Sequence, residues 1–282
     1  MPLPENFDVA EFVDRVFAED LGTGGDVTSN ATIAADARFT ADMNCRQAIV
    51  VAGLEIAAAF FRKLDPGVQI EQLAKDGDPA EHGTTLMRLA GNARAMLAAE
   101  RPALNTIQHL SGVATLTRRY VDAIAGTGAI LLDTRKTLPG LRVLEKYAAR
   151  MGGAQNHRMR LDDGILIKDN HVAVCGGVAE AVRRAKAANT GLQVQVEVDR
   201  IDQIEPALAA GADRLLLDNM DPAMLRQAVA VVRGRVPLEA SGGVTLETIR
   251  SLAETGVNYI SLGRITQSAP AVDIGLDYAL SH

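Results

Sequence analysis

The sequence predicts an α/β plus α+β protein, with an α+β sandwich domain at the N-terminus and an incomplete (β/α) barrel of fewer than eight strands at the C-terminus. Three observations lead to this fold class. The first half contains a strand with two-residue alternation, the second half repeats a short apolar run followed by a helical segment, and a polar residue closes each run. The length of 282 residues also reaches the range, roughly 250–300 residues, in which a single core stops growing.

An amphipathic helix opens the N-terminal half. Asp8 is a suitable N-cap, and apolar residues then recur at helical spacing up to Leu21, namely Val9, Phe12, Val13, Val16 and Phe17. From Arg38 to Cys45 apolar and polar residues alternate, which is typical of a half-buried strand in an antiparallel sheet. Further elements are predicted as strands at Ile49 to Val51, Val68 to Leu73 and Thr84 to Leu89, and as a helix at Gly53 to Leu64.

Two consecutive helices are predicted after Ala93. Helical spacing continues through Leu110, the dipeptide Ser111-Gly112 is expected to break the helix, and a second helix runs to Ile124. Pro102 marks a helix start or a kink. The expected break places the end of the sandwich domain at residue 112, so the predicted domains are 1–112 and 113–270.

The second half alternates strands and helices, which predicts a parallel sheet covered on both faces. The strand-like runs are Ala129 to Leu132, Ile165 to Ile167, Val194 to Val198, Leu215 to Leu217, Val236 to Leu238 and Tyr259 to Leu262. The helical segments between them are Val178 to Ala188, Ile201 to Ala210, Pro222 to Val232 and Leu246 to Glu254. Six units leave two architectures open, a barrel that lacks strands and an open doubly wound sheet.

Polar residues at the strand ends favour the barrel. They are Asp133, Lys168, Glu197, Asp218, Ser241 and Gly263, and each lies at or near the end of a different run. In an open sheet only the residues at the switch point would share a site, whereas a barrel gathers all of its carboxyl ends around one mouth.

Composition limits the classes of function. The formal net charge is −6 and no basic run occurs, so nucleic acid and anionic membranes are not expected partners. The first twelve residues contain neither a cationic start nor an apolar signal core. Cys45 and Cys175 form no CxxC or Cys/His cluster, so neither a disulfide nor a zinc site is indicated. We therefore expect a reduced, cytoplasmic protein.

Cations are concentrated in the segment from Asp133 to His171, against the acidic balance of the chain. Arg135, Lys136, His157, Arg158 and Lys168 follow or flank two strand ends, where they would select a substrate with two negative charges. The alternative is a set of surface salt bridges. That alternative is favoured for three cations at helical spacing on a predicted solvated face, Arg142, Lys146 and Arg150.

Two further groups of residues surround the same predicted mouth. Glu197 and Asp218 could hold Mg²⁺, or could neutralise the neighbouring cations. The segment Ser241-Gly242-Gly243, expected to open onto a helix at Leu246, and the segment from Ser261 to Arg264 could bind a phosphate through backbone N–H groups. The alternative for a lone Ser-Gly-Gly is an ordinary turn.

Several motifs together resemble one family. They are Asp20-Leu-Gly-Thr-Gly-Gly-Asp-Val-Thr-Ser, Glu100-Arg-Pro-Ala-Leu-Asn, Asp133-Thr-Arg-Lys-Thr-Leu-Pro-Gly-Leu-Arg, Gly152-Gly-Ala-Gln-Asn-His-Arg, Leu166-Ile-Lys-Asp-Asn-His, Val196-Glu-Val-Asp, Leu217-Asp-Asn-Met and Glu239-Ala-Ser-Gly-Gly. Across nearly its whole length the chain resembles the quinolinate phosphoribosyltransferases. One departure is Ile265-Thr-Gln267-Ser, where the family often has Leu-Thr-His-Ser after the glycine that matches Gly263.

The resemblance implies an open-faced sandwich, a barrel of fewer than eight strands, and a tail, 271–282, that packs back on the N-terminal domain. It also implies a homodimer or a higher assembly in which Arg101 completes the neighbouring subunit's site. The implied reaction joins quinolinate to phosphoribosyl pyrophosphate with Mg²⁺, giving nicotinate mononucleotide, pyrophosphate and CO₂.

The resemblance also implies roles for individual residues. Lys136, Lys168, Glu197 and Asp218 would be catalytic, with Glu197 and Asp218 near Mg²⁺, directly or through water or substrate. The substrate-binding set would be Arg101, Thr134, Arg135, Lys136, His157, Arg158, Lys168, Glu197, Asp218, Ser241, Gly242, Gly243, Leu262, Gly263 and Arg264.

Two alternatives remain at this point. An aldolase-like lyase could form a Schiff base on Lys168 at a barrel strand end. A related barrel could bind the anion without turning it over, as a non-catalytic paralogue.

Overall fold

The computed structural model describes residue 3 and residues 7–279. Within these residues the chain forms two compact units. One comprises the residues up to Leu116, Val143–Gly152 and the residues from Ala269 onward, and the other comprises Thr117–Arg142 and Gly153–Ser268. The segment Val143–Gly152 belongs to the first unit, whereas the predicted boundaries placed it in the second domain.

The elements of the N-terminal part agree closely with the sequence pattern. In chain order they are α1 (Val9–Leu21), α2 (Val27–Thr32), β1 (Arg38–Cys45), β2 (Ile49–Val50), α3 (Leu54–Leu64), β3 (Gln69–Gln72), β4 (Pro79–Ala80), β5 (Thr85–Asn92) and α4 (Ala93–Ala123). Asp8 caps α1, where its carboxylate accepts a hydrogen bond from Glu11 N–H at 2.9 Å. Sequence patterns gave no signal for α2 or for β4, which has only two residues.

The sheet of the first unit is antiparallel and has a buried and an open face. Its strand order is β12-β1-β5-β3, where β12 is Ile274–Ala279, and β2 pairs separately with β4. In β1 the side chains of Ala41, Met43 and Cys45 are buried, as the two-residue alternation predicted. On the other face Asp42 lies opposite Arg88 and Asp277. The predicted antiparallel, open-faced sandwich is confirmed.

The tail contributes the outermost strand of this sheet. β12 pairs antiparallel with β1, from Thr40 opposite Ala279 to Cys45 opposite Ile274. The Asp277 carboxylate accepts hydrogen bonds from the side chains of Asn44 at 2.8 Å and Arg46 at 2.5 Å. The predicted tail extended to residue 282, and residues 280–282 lie outside the described part of the chain.

The predicted helix break at Ser111-Gly112 is wrong, because α4 continues through both residues to Ala123. Ser111 lies within the helix, and its hydroxyl accepts a hydrogen bond from the backbone N–H of Ala52 at 3.0 Å. A Cβ on Gly112 would lie 2.2 Å from the carbonyl oxygen of Pro270. The two small residues allow a close approach of neighbouring backbone, which the sequence pattern does not distinguish from a helix end.

The second unit is built on six parallel strands. The elements after α4 are β6 (Ile130–Leu132), α5 (Arg142–Met151), β7 (Ile165–Ile167), α6 (Asp169–Cys175), α7 (Val178–Ala187), β8 (Val194–Val198), a 3₁₀ turn (Ile201–Gln203), α8 (Ile204–Ala209), β9 (Arg214–Asp218), α9 (Pro222–Val232), β10 (Leu238–Ser241), α10 (Ile249–Ala253), β11 (Tyr259–Ser261) and α11 (Arg264–Gln267). The strand order is β6-β11-β10-β9-β8-β7.

This strand order identifies an incomplete barrel. The chain passes from β7 to β11 through neighbouring strands, and β11 then pairs with β6 without the order reversal of a doubly wound sheet. Among the described residues β6 and β7 form no ladder with each other, so the barrel opens between them. Gln155 lies in this seam and forms a parallel bridge with Leu132. The prediction of fewer than eight strands is confirmed.

Two local predictions are wrong, one in this unit and one in the segment Val143–Gly152 of the first unit. The fifth strand was predicted at Val236 to Leu238 and instead runs from Leu238 to Ser241, because the buried carboxylate of Glu239 lies inside it. Lys146 was expected on a solvated face and is fully buried on α5, as is Glu145, which lies 2.8 Å from His109. Helical spacing alone does not say how many faces of a helix are covered. No helix within residues 7–279 is long and apolar enough to span a membrane.

Candidate active site

The carboxyl ends of the barrel strands surround a cavity of about 490 Å³ in the second unit. Fourteen of the fifteen predicted substrate-binding residues line it: Thr134, Arg135, Lys136, His157, Arg158, Lys168, Glu197, Asp218, Ser241, Gly242, Gly243, Leu262, Gly263 and Arg264. Gln267, the departure from the family pattern, lines it as well. The positions at strand ends predicted five of these residues, Lys168, Glu197, Asp218, Ser241 and Gly263, and the basic and glycine-rich segments beside them predicted most of the others.

Arg101 does not line this cavity. It lies on α4 in the first unit, more than half exposed, and its guanidinium is 3.5 Å from the Glu100 carboxylate. An exposed cation on a helix surface fits a residue that acts elsewhere, and that role stays a prediction.

Asp133 fixes the position of the segment that carries His157 and Arg158. Its carboxylate is fully buried at the end of β6. It accepts a hydrogen bond from the backbone N–H of His157 at 2.8 Å and one from the side-chain amide of Asn156 at 2.5 Å. The carboxylate thereby ties the seam segment that carries His157 and Arg158 to the end of β6.

One nitrogen of the His157 ring is held by a backbone hydrogen bond, and the other lies beside a buried carboxylate. Nδ1 accepts a hydrogen bond from the backbone N–H of Arg158 at 2.7 Å, so in the neutral ring the proton is on Nε2. Nε2 lies 3.4 Å from a carboxylate oxygen of Glu239. The ring therefore fixes the backbone of Arg158, while its buried Nε2 makes no hydrogen bond to another described residue.

Glu239 is a buried carboxylate for which the sequence predicted no role. It receives a hydrogen bond from Gln195 Nε2 at 2.8 Å and lies 2.7 Å from the Arg214 guanidinium, which stacks 3.9 Å from the centroid of the Tyr259 ring. Burial disfavours the charged form, but His157, Arg214 and Ser261 outweigh burial and lower the pKa of Glu239. The only sequence signal was its position in the Glu-Ala-Ser-Gly-Gly motif.

Two arginines supply unsatisfied positive charge at the mouth. Among the described residues, the buried Nε of Arg135 has no hydrogen-bond partner. Burial and, secondarily, the charge of Arg135 lower the pKa of Arg158, whose Nη1 donates to Gly164 O at 2.8 Å. A buried donor without an acceptor is costly, so this arrangement is suited to an arriving anion.

Lys136 is packed against the last strand-end loop. Its side chain lies over Gly263, where a Cβ would be 2.6 Å from Lys136 Cδ. Its carbonyl oxygen accepts a hydrogen bond from the buried hydroxyl of Thr266 at 2.7 Å. The glycine allows the lysine stem to cross this loop.

Glu197 and Asp218 form the acidic side of the cavity. Burial raises the pKa of Glu197, the negative charge of Asp218 adds to this, and the charge of Lys168 opposes it. Among the described residues, no cluster of three or more His, Cys, Asp or Glu side chains could enclose a metal ion. Two carboxylates on one wall of the cavity fit Mg²⁺ bound partly by substrate oxygens.

The Ser241-Gly242-Gly243 segment forms a tight turn after β10, with φ values of 94° and 61° at the two glycines. Such values favour glycine and leave the backbone N–H groups accessible to a ligand. The helix expected to open at Leu246 begins at Ile249 and has five residues. A helix N-terminus therefore does not follow the turn directly, and an anion would be bound by the loop itself.

Two family models cover the chain. The model for the N-terminal domain of quinolinate phosphoribosyl transferase matches residues 26–111, and the model for its C-terminal domain matches residues 113–277. The chain belongs to the quinolinate phosphoribosyltransferase family.

Curated members of the quinolinate phosphoribosyltransferase family resemble the chain along its length. It is 43% identical over 273 residues to the probable nicotinate-nucleotide pyrophosphorylase (carboxylating) of Bacillus subtilis strain 168, covering 96% of this chain and 94% of that protein. The corresponding protein of Mycobacterium leprae strain TN is 42% identical over 96% of this chain and 98% of its own length. A solved nicotinate-nucleotide pyrophosphorylase of Francisella tularensis superposes with a TM-score of 0.92 at 40% identity, covering 96% of each chain.

Proposed function

We propose that this protein is a carboxylating nicotinate-nucleotide pyrophosphorylase, an enzyme of NAD biosynthesis. It transfers the phosphoribosyl group of phosphoribosyl pyrophosphate to the ring nitrogen of quinolinate, releasing pyrophosphate and CO₂ and forming nicotinate mononucleotide. The observation that carries the proposal is the division of one cavity into a cationic side, a two-carboxylate side and a glycine turn, in a chain of this family. The Schiff-base lyase receives no support from the relatives.

The cationic side is suited to the two carboxylates of quinolinate. Arg135 and Arg158 would bind them, with Lys168 at the neighbouring strand end, while His157 fixes the backbone of Arg158. Charge-assisted hydrogen bonds of this kind are each worth about 1.5–3 kcal/mol. Holding the ring nitrogen against the anomeric carbon supplies part of the barrier lowering through orientation.

The acidic side is suited to the sugar. Glu197 and Asp218 would hold the ribose hydroxyls or Mg²⁺ and stabilise positive charge that develops on the anomeric carbon as pyrophosphate departs. When bound, Mg²⁺ would supply charge neutralisation of the leaving pyrophosphate. Lys136 lies near the last strand-end loop and would bind the diphosphate, while the turn at Gly242 and the loop at Gly263 would bind the 5-phosphate.

Decarboxylation follows from the first bond. Once the ring nitrogen is glycosylated it is cationic, so its charge stabilises the carbanion left on the adjacent ring carbon when the carboxylate departs as CO₂. The resulting carbanion takes up one proton to give nicotinate mononucleotide. The ammonium of Lys168 would stabilise the charge on this side of the ring.

The proposed working form is a homodimer or a higher assembly. Arg101 of the partner subunit would complete the quinolinate side, which accounts for an exposed arginine outside the cavity. A cytoplasmic location is proposed from the acidic composition and the two free cysteines, which fit a reducing compartment.

The test is product formation from quinolinate, phosphoribosyl pyrophosphate and Mg²⁺, following released CO₂ and nicotinate mononucleotide, with nicotinate as the control substrate. We expect turnover of quinolinate and none of nicotinate, because nicotinate lacks the second carboxylate. Tight binding of quinolinate without release of pyrophosphate would identify a non-catalytic paralogue instead.

A further inference from the structure

Asn219 follows Asp218 in an unusual backbone conformation. Its φ is 52°, in the left-handed region that residues other than glycine rarely adopt. Among the described residues only Asn189 and Arg233 share this property, and neither lies in the segments that line the cavity. A non-glycine residue held this way beside a candidate site calls for a reason in its contacts.

The contacts of Asn219 join two parts of the cavity wall. Its side-chain amide donates a hydrogen bond to the Asp218 carboxylate at 2.8 Å. Its backbone N–H donates to the carbonyl oxygen of Ser241 at 2.9 Å, at the start of the glycine turn. The left-handed backbone lets one residue make both bonds.

Asn219 also determines which residue can occupy the turn. A Cβ on Gly242 would lie 2.2 Å from Asn219 Oδ1 and 2.6 Å from Asn219 Cγ. The side chain of Asn219 therefore fills the space beside Gly242. Any movement of Asn219 would leave both Asp218 and this turn less constrained.

We propose that Asn219 is a positioning residue for phosphoribosyl pyrophosphate. It fixes the Asp218 carboxylate relative to the Ser241-Gly242-Gly243 turn, so that the ribose hydroxyls and the 5-phosphate meet their binding groups at a fixed separation. Asn219 does not line the cavity and need not touch the substrate. The inference rests on the proposed function and concerns one of its two substrates.

The variant Asn219→Gly removes the side chain but can keep the left-handed backbone conformation. Glycine adopts positive φ without strain, so the fold and the melting temperature should be retained. We expect the dissociation constant for phosphoribosyl pyrophosphate with Mg²⁺, measured by calorimetry, to rise roughly ten-fold, as for loss of a hydrogen bond to a charged group. The KM for quinolinate should stay within about two-fold of the wild-type value.

Asn189→Gly is the matched control. Asn189 has a φ of 48° and follows α7, so the same substitution is made at the same backbone conformation away from the cavity. We expect this variant to bind both substrates like the wild type. Equal affinity of Asn219→Gly and Asn189→Gly for phosphoribosyl pyrophosphate would overturn the inference, as would a parallel loss of affinity for quinolinate.

A second variant keeps the shape of the side chain. Asn219→Asp removes the amide donor and places a carboxylate beside that of Asp218, so affinity for phosphoribosyl pyrophosphate should fall at least as far as in Asn219→Gly. If Asn219→Asp binds phosphoribosyl pyrophosphate as tightly as the wild type does, the amide donor of Asn219 is not needed for binding, and the inference is overturned.

Direct binding also separates this inference from the proposed function. A wild-type protein that binds phosphoribosyl pyrophosphate without turnover would contradict the proposed reaction, yet the Asn219 comparison would still be decided by the binding constants. A wild-type protein that does not bind it would overturn both.

Discussion

At the scale of single residues, the proposed activity depends on the cations that line the cavity. Arg135→Ala and Lys168→Ala should abolish turnover while leaving the fold intact, because both side chains project into the cavity and neither supports the core. The measurement is the rate of nicotinate mononucleotide formation, together with the melting temperature. Exposed cations on α7 provide the controls, and Arg183→Ala and Lys186→Ala should remain active.

Near-normal activity in Arg135→Ala or Lys168→Ala would remove that residue from the proposed site. A large fall in melting temperature would instead assign it a structural role, which the exposure of Lys168 argues against.

The buried cluster around Glu239 leads to a prediction for stability. Glu239→Gln keeps the shape of the side chain but leaves Arg214 and His157 without their anion, so near neutral pH the free energy of unfolding should fall by about 3–5 kcal/mol. Burial opposes the charge of Glu239, but its cationic neighbours lower its pKa below the ordinary value of 4.5. The wild type should therefore exceed Glu239→Gln in free energy of unfolding by the full amount above pH 4.5. This difference should disappear as the pH falls through the lowered pKa of Glu239.

Urea unfolding of both proteins across this pH range measures the effect. A difference between the two proteins that does not change with pH would mean that the charge of Glu239 contributes nothing, and that only the hydrogen-bond geometry matters.

At the scale of elements, Gly112 shows how packing overrides helix propensity. A glycine-to-alanine change inside a helix normally stabilises it by about 0.5–1 kcal/mol. In α4 the new Cβ would meet the carbonyl oxygen of Pro270, so Gly112→Ala should instead destabilise the protein by about 1–3 kcal/mol. Gly24→Ala is the control, since a Cβ there has its nearest neighbour at 4.0 Å and needs no left-handed backbone.

Melting temperatures of the two variants decide the matter. A higher melting temperature in Gly112→Ala than in the wild type would mean that α4 and the segment at Pro270 can move apart without a loss of stability.

The sequence predicted elements well where a single pattern determined them. The alternation in β1, the capped start of α1 and the apolar runs of β7 and β8 give bounds that agree with the structure. The misses have physical causes that lie outside local pattern. Buried charges, such as Glu239 in β10 and Lys146 on α5, are stabilised by partners distant in the chain, and no local rule reveals those partners.

The candidate site was predictable for a related reason. A barrel brings all of its strand ends together, so the residues that close different strands, such as Lys168, Glu197 and Asp218, lie on one cavity wall. The rule predicts where a side chain lies in the fold, but not which groups its polar atoms contact. It does not reveal that the backbone N–H of Arg158 bonds one ring nitrogen of His157, or that the Glu239 carboxylate lies beside the other.

At the scale of the whole molecule, the proposed sharing of Arg101 can be tested by complementation. Arg101→Ala and Lys168→Ala should each be inactive alone. In a mixed dimer one of the two sites would have both defects and the other none, so the isolated mixed dimer should have about half of wild-type activity. Co-expression of two differently tagged chains and purification through both tags provides the measurement.

Mixed dimers without activity would mean that Arg101 serves its own subunit. Activity in the Arg101→Ala protein alone would remove the residue from the site.

The position of β12 in the first sheet has a consequence for synthesis on the ribosome. β1 emerges early, but the strand that covers one of its edges is Ile274–Ala279, near the end of the chain. At about 5–20 residues per second, that edge waits on the order of tens of seconds for its partner. An uncovered strand edge can pair with another chain, so the nascent protein should depend on a chaperone, or on slow expression, more than its finished fold indicates.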